Sequence, residues 1–337
     1  MRAVVCLEPG RLDMVERPPA AGPQGWVRLA VSHVGICGTD YHIFEGKHPF
    51  LDYPRVMGHE ISATVLDPGS SLFAAGTPVV VNPYISCGTC VACRKDRPNC
   101  CTAIRVLGVH TDGALCEEIL LPAENLYPAE GLSLEAAATV EFLAIGAHAV
   151  RRSQAPEGAR ALVVGAGPIG LGTALFSRIA GHEVTVMDTS EERLAMAADR
   201  FGLGGNILAG PSVAEAVSRA TDGDGFDVVF DATGHAKSME AAFAHVAHGG
   251  ALVLVSVVKD EIRFSDPEFH KREMTLIGSR NAVRADFEHV MACIRDGRVP
   301  VDALVTHRTT LDGVPLDLAR WATEKSGLIK AIVRVAA

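Results

Sequence analysis

Four cysteines lie close together in the spacing Cys87-x2-Cys90-x2-Cys93-x7-Cys101. Four thiolates carried by one loop can complete a tetrahedral shell around Zn²⁺ and leave no position open for a substrate. The pattern therefore predicts a structural zinc site, in which bound metal would order a loop that has little apolar core of its own. Cys100 could replace Cys101 as the fourth ligand, and a redox-active thiol pair is the competing interpretation.

A second group of side chains with metal-ligand chemistry is dispersed along the chain. Cys37 and His42 lie in GICGTDYHI, His59 and Glu60 lie in GHE, and Glu141 lies in VEFLAIGAHA. Taken singly, a loop Cys is more often a small buried side chain, and a His beside a Glu is more often a surface pair. The residue types allow a catalytic metal site, which would combine a thiolate, an imidazole and a carboxylate with one exchangeable position.

A third chemical motif is glycine-rich and runs from Gly165 to Gly170 as GAGPIG. It follows the apolar run Ala161–Val164 and opens a helical pattern, which is the context expected for dinucleotide binding. Gly165 allows the tight turn, Gly167 lets backbone amides approach a pyrophosphate, and Gly170 allows close packing of the helix on the sheet. Pro168 and Ile169 complete the loop at the helix N-terminus, where an anion is favoured. The alternative is an ordinary glycine-rich turn.

An acidic residue stands where such a loop needs one to recognise its cofactor. The second apolar run, Val184–Met187, ends at Asp188. A carboxylate there can accept hydrogen bonds from the adenosine ribose and would repel a 2′-phosphate. The sequence therefore predicts NAD rather than NADP.

The elements that must position these groups fall into two kinds. Residues 1–146 are predicted to be β-rich, because short apolar runs alternate with Pro and Gly. These runs are Met1–Cys6, Trp26–Val34, Ile61–Leu66, Pro78–Val81 and Glu117–Leu121. A helical pattern over Leu134–Arg151 then leads into alternating strands and helices, which predict a doubly wound parallel sheet of about six strands.

The later elements follow the same alternation. Strands are predicted at Asn206–Leu208, Phe226–Asp231, Ala251–Val257 and Met274–Gly278, and helices at Glu191–Phe201, Val213–Ala220 and Ala236–Val246. The chain is predicted to close with helices at Ala285–Asp296 and Gly313–Ser326 and a strand at Ile329–Val335. The expected organisation is one β-rich domain, 1–146 and 284–337, interrupted by a nucleotide-binding domain, 147–283.

Composition limits the possible partners. A length of 337 residues suggests about two domains, and a net charge of −9 without a basic run argues against nucleic-acid binding. The sequence shows neither a signal peptide nor an apolar stretch of membrane-spanning length. The nine cysteines are then expected to be reduced or metal-bound, and the protein to be cytoplasmic.

In several motifs at once, and over essentially its full length, the chain resembles the zinc-dependent medium-chain alcohol dehydrogenases. The shared features are GICGTDYHI, GHE, the four-cysteine loop, the Glu of VEFLAIGAHA, and GAGPIG with its acid. Within that family it looks most like the polyol, L-threonine and sugar-acid dehydrogenases, because Glu141 stands where ethanol-type members carry a cysteine. The resemblance implies a GroES-like catalytic domain interrupted by a Rossmann NAD-binding domain.

The resemblance also implies roles for individual residues at the catalytic metal. Cys37, His59 and Glu141 would hold zinc, and Glu60 would bind it intermittently, although the choice between Glu60 and Glu141 stays open. Asp40 would accept a hydrogen bond from the imidazole of His59. Cys101, rather than Cys100, would complete the structural site.

Proton transfer and cofactor binding are implied by the same resemblance. Thr39 and His42 would carry the alcohol proton to solvent through a cofactor ribose hydroxyl; the alternative is that they only cap a loop. Further contacts to NAD would come from Arg193, Thr233, Ser256, Val257, Ser279 and Arg280.

The expected reaction is reversible oxidation of a secondary alcohol, with hydride transfer to NAD, by a homodimer or homotetramer. The expected substrate is a hexonate of the L-gulonate or L-galactonate type, or a polyol, with L-threonine as the rival. Residues 48–55 should border the substrate, and Arg55, Arg105 and Arg280 are candidate carboxylate ligands. A non-catalytic regulator that binds zinc and NAD and a zinc-free quinone-reductase-like member are the alternatives.

Overall fold

The structure is a computed structural model that describes residues 1–47, 52–324 and 326–335. The first four residues of the predicted substrate-bordering stretch, 48–51, therefore lie outside the described residues. The chain divides into two compact units, one formed by Met1–Glu141 with Phe287–Ala337 and the other by Phe142–Asp286. The sequence predicts these divisions at 146/147 and 283/284, and those boundaries stay a prediction.

The elements of the first unit before the division are mostly short strands. They are β1 (Arg2–Glu8), β2 (Arg11–Glu16), β3 (Val27–Ile36), α1 (Gly38–Phe44), β4 (Arg55–Val56), β5 (Glu60–Asp67), β6 (Pro78–Val81), β7 (Tyr84–Ile85), β8 (Arg105–Val106), β9 (Glu118–Leu121), β10 (Leu126–Pro128) and α2 (Leu134–Ala137). Helix α3 (Val140–Ser153) then carries the chain into the second unit.

Strands and helices alternate in the second unit. They are β11 (Arg160–Val164), α4 (Pro168–Ile179), β12 (Glu183–Asp188), α5 (Glu191–Phe201), β13 (Ile207–Leu208), α6 (Val213–Ala220), β14 (Phe226–Asp231), α7 (Ala236–Ala242), β15 (Val246–Leu254), α8 (Asp266–Lys271) and β16 (Thr275–Gly278). Helix α9 (Arg284–Arg295) returns to the first unit, which ends with α10 (Val301–Leu304), β17 (Val305–Thr310), α11 (Val314–Thr323) and β18 (Lys330–Arg334).

The main sheet of the first unit is organised around β3, which has ten residues and is mostly buried. The strand order is β10-β6-β5-β3-β18-β17, and β9 also pairs with β3. Both β5 and β18 run antiparallel to β3, so their first residues lie beside its last ones. Gly35 is paired with Glu60, and Ile36 with Ala331. This register brings residues from three distant parts of the chain to one end of the sheet.

The sheet of the second unit has six parallel strands in the order β13-β12-β11-β14-β15-β16. The chain starts in the middle, winds outward to one edge and then to the other, as in dinucleotide-binding folds. Its central strands are apolar because both faces are covered by helices; Val163, Val228 and Phe230 have no exposed surface. The predicted doubly wound parallel sheet is confirmed.

Several predicted elements differ from the observed ones for local reasons. The helix predicted over Leu134–Arg151 is two helices, α2 and α3; between them the hydroxyl of Thr139 donates to the carbonyl of Ala136 at 2.7 Å. The strand predicted to begin at Ala251 begins at Val246, because Gly249 adopts a φ of +76° and the pairing with β14 continues on both sides of it. None of the helices in the described parts of the chain is long and apolar enough to cross a bilayer.

Candidate functional site

The four-cysteine loop lies between β7 and β8, which pair as a short two-stranded ladder. One sulfur atom from each of Cys87, Cys90, Cys93 and Cys101 lies within 4.8 Å of the other three. The neighbouring Cys100 is exposed and is not in this group. The geometry therefore selects Cys101 over Cys100 as the fourth donor of a closed site.

Backbone amides stabilise negative charge on these sulfurs. The amide of Cys90 donates to Cys87 Sγ at 3.4 Å, and the amides of Cys87 and Ala103 donate to Cys101 Sγ at 3.3 and 3.4 Å. Hydrogen bonds from the backbone of Cys93 and Thr102 lower the pKa of Cys90 to about 5. Thiolates are the form that binds zinc, so the loop provides the donor set of a structural zinc site.

A second donor group lies at the shared end of β3, β5 and β18. Cys37 follows β3, His59 precedes β5 and Glu60 begins it. One donor atom from each lies within 4.8 Å of the other two. The side chains of His59 and Glu60 are buried, whereas Cys37 is half-buried. This set of one thiolate, one imidazole and one carboxylate is that of an open zinc site.

Asp40 lies beneath the loops that carry two of these donors. Its carboxylate accepts hydrogen bonds from the backbone amides of Cys37 at 2.8 Å and Gly58 at 3.2 Å. Its Oδ1 is 3.9 Å from Nδ1 of His59, which is too long for a hydrogen bond, so the expected bond from His59 to Asp40 is not present. Asp40 therefore positions the loops that carry Cys37 and His59 through the backbone amides of Cys37 and Gly58.

Glu141, at the start of α3, is buried but does not belong to the three-residue donor group. Its Oε1 accepts a hydrogen bond from the hydroxyl of Tyr84, which is itself buried in β7. Burial raises the pKa of Glu141 to about 7, and the hydrogen bond from Tyr84 opposes that rise. Tyr84 was not identified from the sequence, where it is only the aromatic residue that precedes the cysteine loop.

Lys330 is a buried cation beside the donor group that was also missed. Its Nζ lies 2.7 and 2.8 Å from the two carboxylate oxygens of Glu60 and donates to the carbonyl of Ile36 at 3.1 Å. The signal in the sequence is a lysine within the apolar run IKAIV, since fully buried lysines are rare unless they are paired.

The two predicted relay residues lie on α1. Thr39 is half-buried, with its hydroxyl 4.0 Å from Cys37 Sγ, and His42 is exposed one turn further along. Residues three apart share a face of a helix, so the side chain of His42 extends from the face of α1 that carries Thr39. The order from half-buried sulfur to exposed imidazole suits a path to solvent.

The donor group fits a divalent cation by its charge. Burial lowers the pKa of His59, but the negative charges of Asp40, Cys37 and Glu141 outweigh it and raise that pKa well above its usual value. The surroundings therefore favour a positive charge at this position. Zinc held by Cys37, His59 and one carboxylate would supply that charge.

The glycine-rich loop connects β11 to α4 in the second unit. Gly165 has a φ of +99°, which favours glycine, and a Cβ on Gly170 would lie 1.7 Å from the carbonyl oxygen of Gly165. A Cβ on Gly167 would meet no atom within 4 Å. Gly167 is the N-cap of α4, and Pro168 and Ile169 open the helix. The loop is thus tight on its inner side and open at the helix N-terminus, as phosphate binding requires.

Asp188 ends β12 and is tied to the same loop. Its carboxylate accepts hydrogen bonds from the amides of Ala166 at 2.7 Å and Ser190 at 2.9 Å. Arg193, in the first turn of α5, lies 3.9 Å from it. The acid is therefore beside the glycines, where the ribose of a dinucleotide bound to this loop is expected.

The other predicted cofactor residues follow the carboxyl ends of the neighbouring strands. Thr233 follows β14 and donates its hydroxyl to Asp231 at 2.7 Å. The remaining four are Ser256 and Val257 after β15 and Ser279 and Arg280 after β16. Val257, in the loop that follows β15, is an apolar side chain that is 92% exposed. Ligands of open parallel sheets bind at this edge.

The candidate substrate arginines differ in their surroundings. Arg55 is mostly buried, with a guanidinium nitrogen 3.4 Å from Asp112, so it already has an acidic partner. Arg105 lies on β8, beside the cysteine loop. Arg280 lies in the second unit and follows β16.

Known families match two parts of the chain. Residues 23–131 match the alcohol dehydrogenase GroES-like domain, and residues 168–296 match the zinc-binding dehydrogenase family. The first match includes Cys37, His59, Glu60 and the four-cysteine loop, and the second begins within the glycine-rich loop.

Individual relatives match nearly the whole chain. It is 39% identical to L-galactonate-5-dehydrogenase of Escherichia coli K12, over 99% of this chain and 98% of the relative, and 34% identical to D-altritol 5-dehydrogenase of Agrobacterium fabrum, over 92% and 93%. Among solved structures, an alcohol dehydrogenase of Escherichia coli CFT073 in complex with NADH superposes with a TM-score of 0.91, at 28% identity and 99% coverage of both chains. The chain therefore belongs to the zinc-binding alcohol dehydrogenase family.

Proposed function

We propose that this oxidoreductase uses zinc and NAD to oxidise a secondary alcohol of a sugar acid or polyol to the ketone, with a hexonate of the L-galactonate or L-gulonate type as the preferred substrate. The observation that carries the proposal is the group of half-buried Cys37 with buried His59 and Glu60, in a chain that also has a glycine-rich loop of the dinucleotide-binding type. A zinc- and NAD-binding regulator would need neither an open donor set nor a path for protons.

The catalytic metal would be held by Cys37 and His59 together with a carboxylate. Glu60 lies in the donor group and Glu141 lies beside it, so we propose Glu60 as the carboxylate of the resting site and Glu141 as its neighbour. When bound, zinc supplies Lewis acidity, which lowers the pKa of a substrate hydroxyl and polarises the ketone in the reverse reaction. Asp40 holds the two loops that carry Cys37 and His59 next to each other by hydrogen bonds to their backbone amides.

Thr39 and His42 would move the proton released from the substrate hydroxyl. The hydroxyl of Thr39, near Cys37, can accept that proton while donating its own, and the exposed imidazole of His42 can release one to water. A buried site needs such a path because water cannot reach the reacting oxygen freely.

NAD would accept the hydride, and the second unit would bind it. Gly165, Gly167 and Gly170 would border the pyrophosphate, and the carboxylate of Asp188 would face the adenosine ribose. Arg193, Thr233, Ser256, Val257, Ser279 and Arg280 would line the rest of the cofactor site. A negative charge at Asp188 disfavours the 2′-phosphate of NADP, which supports the preference for NAD.

The substrate class rests on the donor set and on the relatives. A carboxylate in place of a second thiolate makes a harder metal site, which suits polyhydroxylated substrates. Two of the relatives are named as 5-dehydrogenases of a hexonate and a hexitol. We propose oxidation at the equivalent carbon here.

A homodimer or homotetramer is the proposed assembly, in a cytoplasmic setting. In the described part of the second unit, β16 pairs with β15 alone, and its residues are exposed or half-exposed. An open edge of this kind can pair with the same strand of another copy.

The test is reduction of NAD⁺ by zinc-replete protein, followed as NADH absorbance, with a panel of hexonates, pentitols, hexitols, L-threonine and simple secondary alcohols. We expect chelator-sensitive turnover that is fastest with a hexonate. L-Threonine as the best substrate would contradict the substrate class, and turnover of none of the panel by protein with two bound zinc ions would favour a regulator.

A further inference from the structure

The buried ion pair between Lys330 and Glu60 lies directly behind the proposed metal donors. The side chain of Lys330 is 2% exposed and that of Glu60 is fully buried. The ammonium nitrogen contacts both carboxylate oxygens, at 2.7 and 2.8 Å, and its third partner is the carbonyl of Ile36, the residue before Cys37. The three hydrogens of the ammonium group therefore have three acceptors, the two carboxylate oxygens of Glu60 and the carbonyl of Ile36.

The Glu60 carboxylate fits beside β3 because residue 35 is a glycine. A Cβ on Gly35 would lie 2.0 Å from Oε2 of Glu60 and 2.9 Å from its Cβ. Gly35 is the residue paired with Glu60 across β3 and β5, so any other residue there would displace the carboxylate. Three strands thus contribute to the position of Glu60: β5 carries it, β3 makes space for it and β18 supplies its cation.

Charge balance gives this arrangement a consequence for metal binding. Around the donors, Cys37, Asp40, Glu60 and Glu141 can each carry a negative charge, and Lys330 offsets one of them. A metal at this site and the ammonium group of Lys330 compete for the same carboxylate oxygens, because each oxygen of Glu60 is already within hydrogen-bond distance of Nζ. The attraction between Glu60 and a metal is weaker while the lysine is present.

We propose that Lys330 is a positioning residue of the metal site, which holds the Glu60 carboxylate and keeps it a weak, exchangeable ligand of a metal bound by Cys37 and His59. A third ligand that is only weakly bound leaves room for a substrate oxygen to enter. This inference rests on the proposed function only in taking Cys37, His59 and Glu60 as metal donors, and it requires no particular substrate.

The proposal predicts that removal of the lysine tightens metal binding. Cobalt(II) is the probe: it is added to protein that has zinc in the four-cysteine loop, and its affinity is measured by competition with a chelator while the visible spectrum reports its ligands. We expect Lys330→Met to bind cobalt at least about tenfold more tightly, with a changed d–d spectrum, because an unpaired Glu60 binds the metal fully. Lys330→Arg keeps the ion pair and should stay within about threefold of wild type.

Two comparisons separate this role from a general effect of lost positive charge. Arg308→Met removes a cation from β17, in the same sheet, where it pairs with Glu135, and it should leave the cobalt affinity unchanged. In a Glu60→Gln background, Lys330→Met should have little effect on cobalt affinity, since the lysine acts through Glu60. This background also removes the unpaired buried charge that could prevent the single variant from folding, and Lys330→Gln provides a second neutral replacement.

Cobalt affinity that is unchanged or weaker in Lys330→Met or Lys330→Gln would overturn the proposal, as would an equal gain in the Glu60→Gln background. These results are independent of turnover. Wild-type protein that binds cobalt at Cys37 but oxidises no alcohol would refute the proposed function and leave the role of Lys330 standing.

Discussion

Gly167→Ala separates cofactor binding from folding more cleanly than any other change in the glycine-rich loop. A Cβ at this position meets no atom within 4 Å, and the φ of −76° is one that alanine adopts readily. Alanine is a poorer N-cap than glycine, but it also reduces the entropy of the unfolded chain, and the two effects are each below about 1 kcal/mol and opposite in sign. The free energy of unfolding without cofactor should therefore change by less than about 1 kcal/mol.

NADH affinity should fall, because the added methyl group occupies the space that the pyrophosphate approaches. Loss of one hydrogen bond to a charged group costs about 1.5–3 kcal/mol, which corresponds to a dissociation constant roughly 10- to 100-fold higher. Fluorescence titration with NADH measures the affinity, and chemical denaturation without cofactor measures the stability.

Two other glycines of the second unit provide the controls. Gly204→Ala, where a Cβ also meets nothing within 4 Å, should change neither quantity. Gly170→Ala should lower stability as well as affinity, because its Cβ would overlap the backbone of Gly165. An unchanged NADH affinity in Gly167→Ala, or an equal loss in Gly204→Ala, would refute the assignment of this loop to the pyrophosphate.

Three further predictions concern the first unit. Glu141 has a folded-state pKa raised to about 7, so its contribution to the stability of the metal-free protein is complete below the unfolded value of 4.5 and is lost as the pH rises through about 7. Denaturation across that range should show a loss on the order of 3 kcal/mol that is absent in Glu141→Gln. Metal analysis should find one zinc fewer in Cys101→Ser and no loss in Cys100→Ser, and equal zinc contents would contradict the assigned fourth ligand. Thr39→Val should slow hydride transfer in single-turnover experiments by at least about tenfold, and an unchanged rate would exclude the relay.

Motifs formed by residues that lie close together in the chain could be predicted from the sequence. The four cysteines lie within one loop, and the glycines lie between a strand and a helix, so spacing alone was enough to predict a metal site and a dinucleotide loop. The alternation of apolar runs and helical patterns likewise predicted the parallel sheet, with the limits of β14, α5 and α6 as observed. Local pattern is a strong guide where the structure itself is local.

Contacts that depend on the pairing register of distant strands could not be predicted from the sequence. Lys330 and Glu60 are separated by 270 residues and meet because β18 and β5 both pair with the end of β3. A shift of one residue in either pairing would turn these side chains to the other face of the sheet. The hydrogen bond of Tyr84 to Glu141 depends in the same way on packing between distant segments. The hydrogen bond expected from His59 to Asp40 is absent, because the Asp40 carboxylate accepts from the backbone amides of Cys37 and Gly58 instead.

Helix α1 shows a further limit of pattern reading. Helix α1 has only seven residues, which is too short for apolar periodicity to predict a helix, and it begins with a glycine. Its start is set by a reciprocal pair of hydrogen bonds between Cys37 and Asp40, a capping arrangement that usually involves other residue types.

In the proposed reaction, hydride leaves a secondary carbon of a sugar acid for NAD at a site that depends on Cys37. The most direct measurement supplies L-galactonate deuterated at carbon 5 and NAD⁺, and detects deuterium in the NADH by mass spectrometry. We predict one deuterium per NADH with wild-type protein, and none above background with Cys37→Ser, which should keep the zinc of the four-cysteine loop. NADH without deuterium, or equal deuterium transfer by Cys37→Ser, would contradict this proposal.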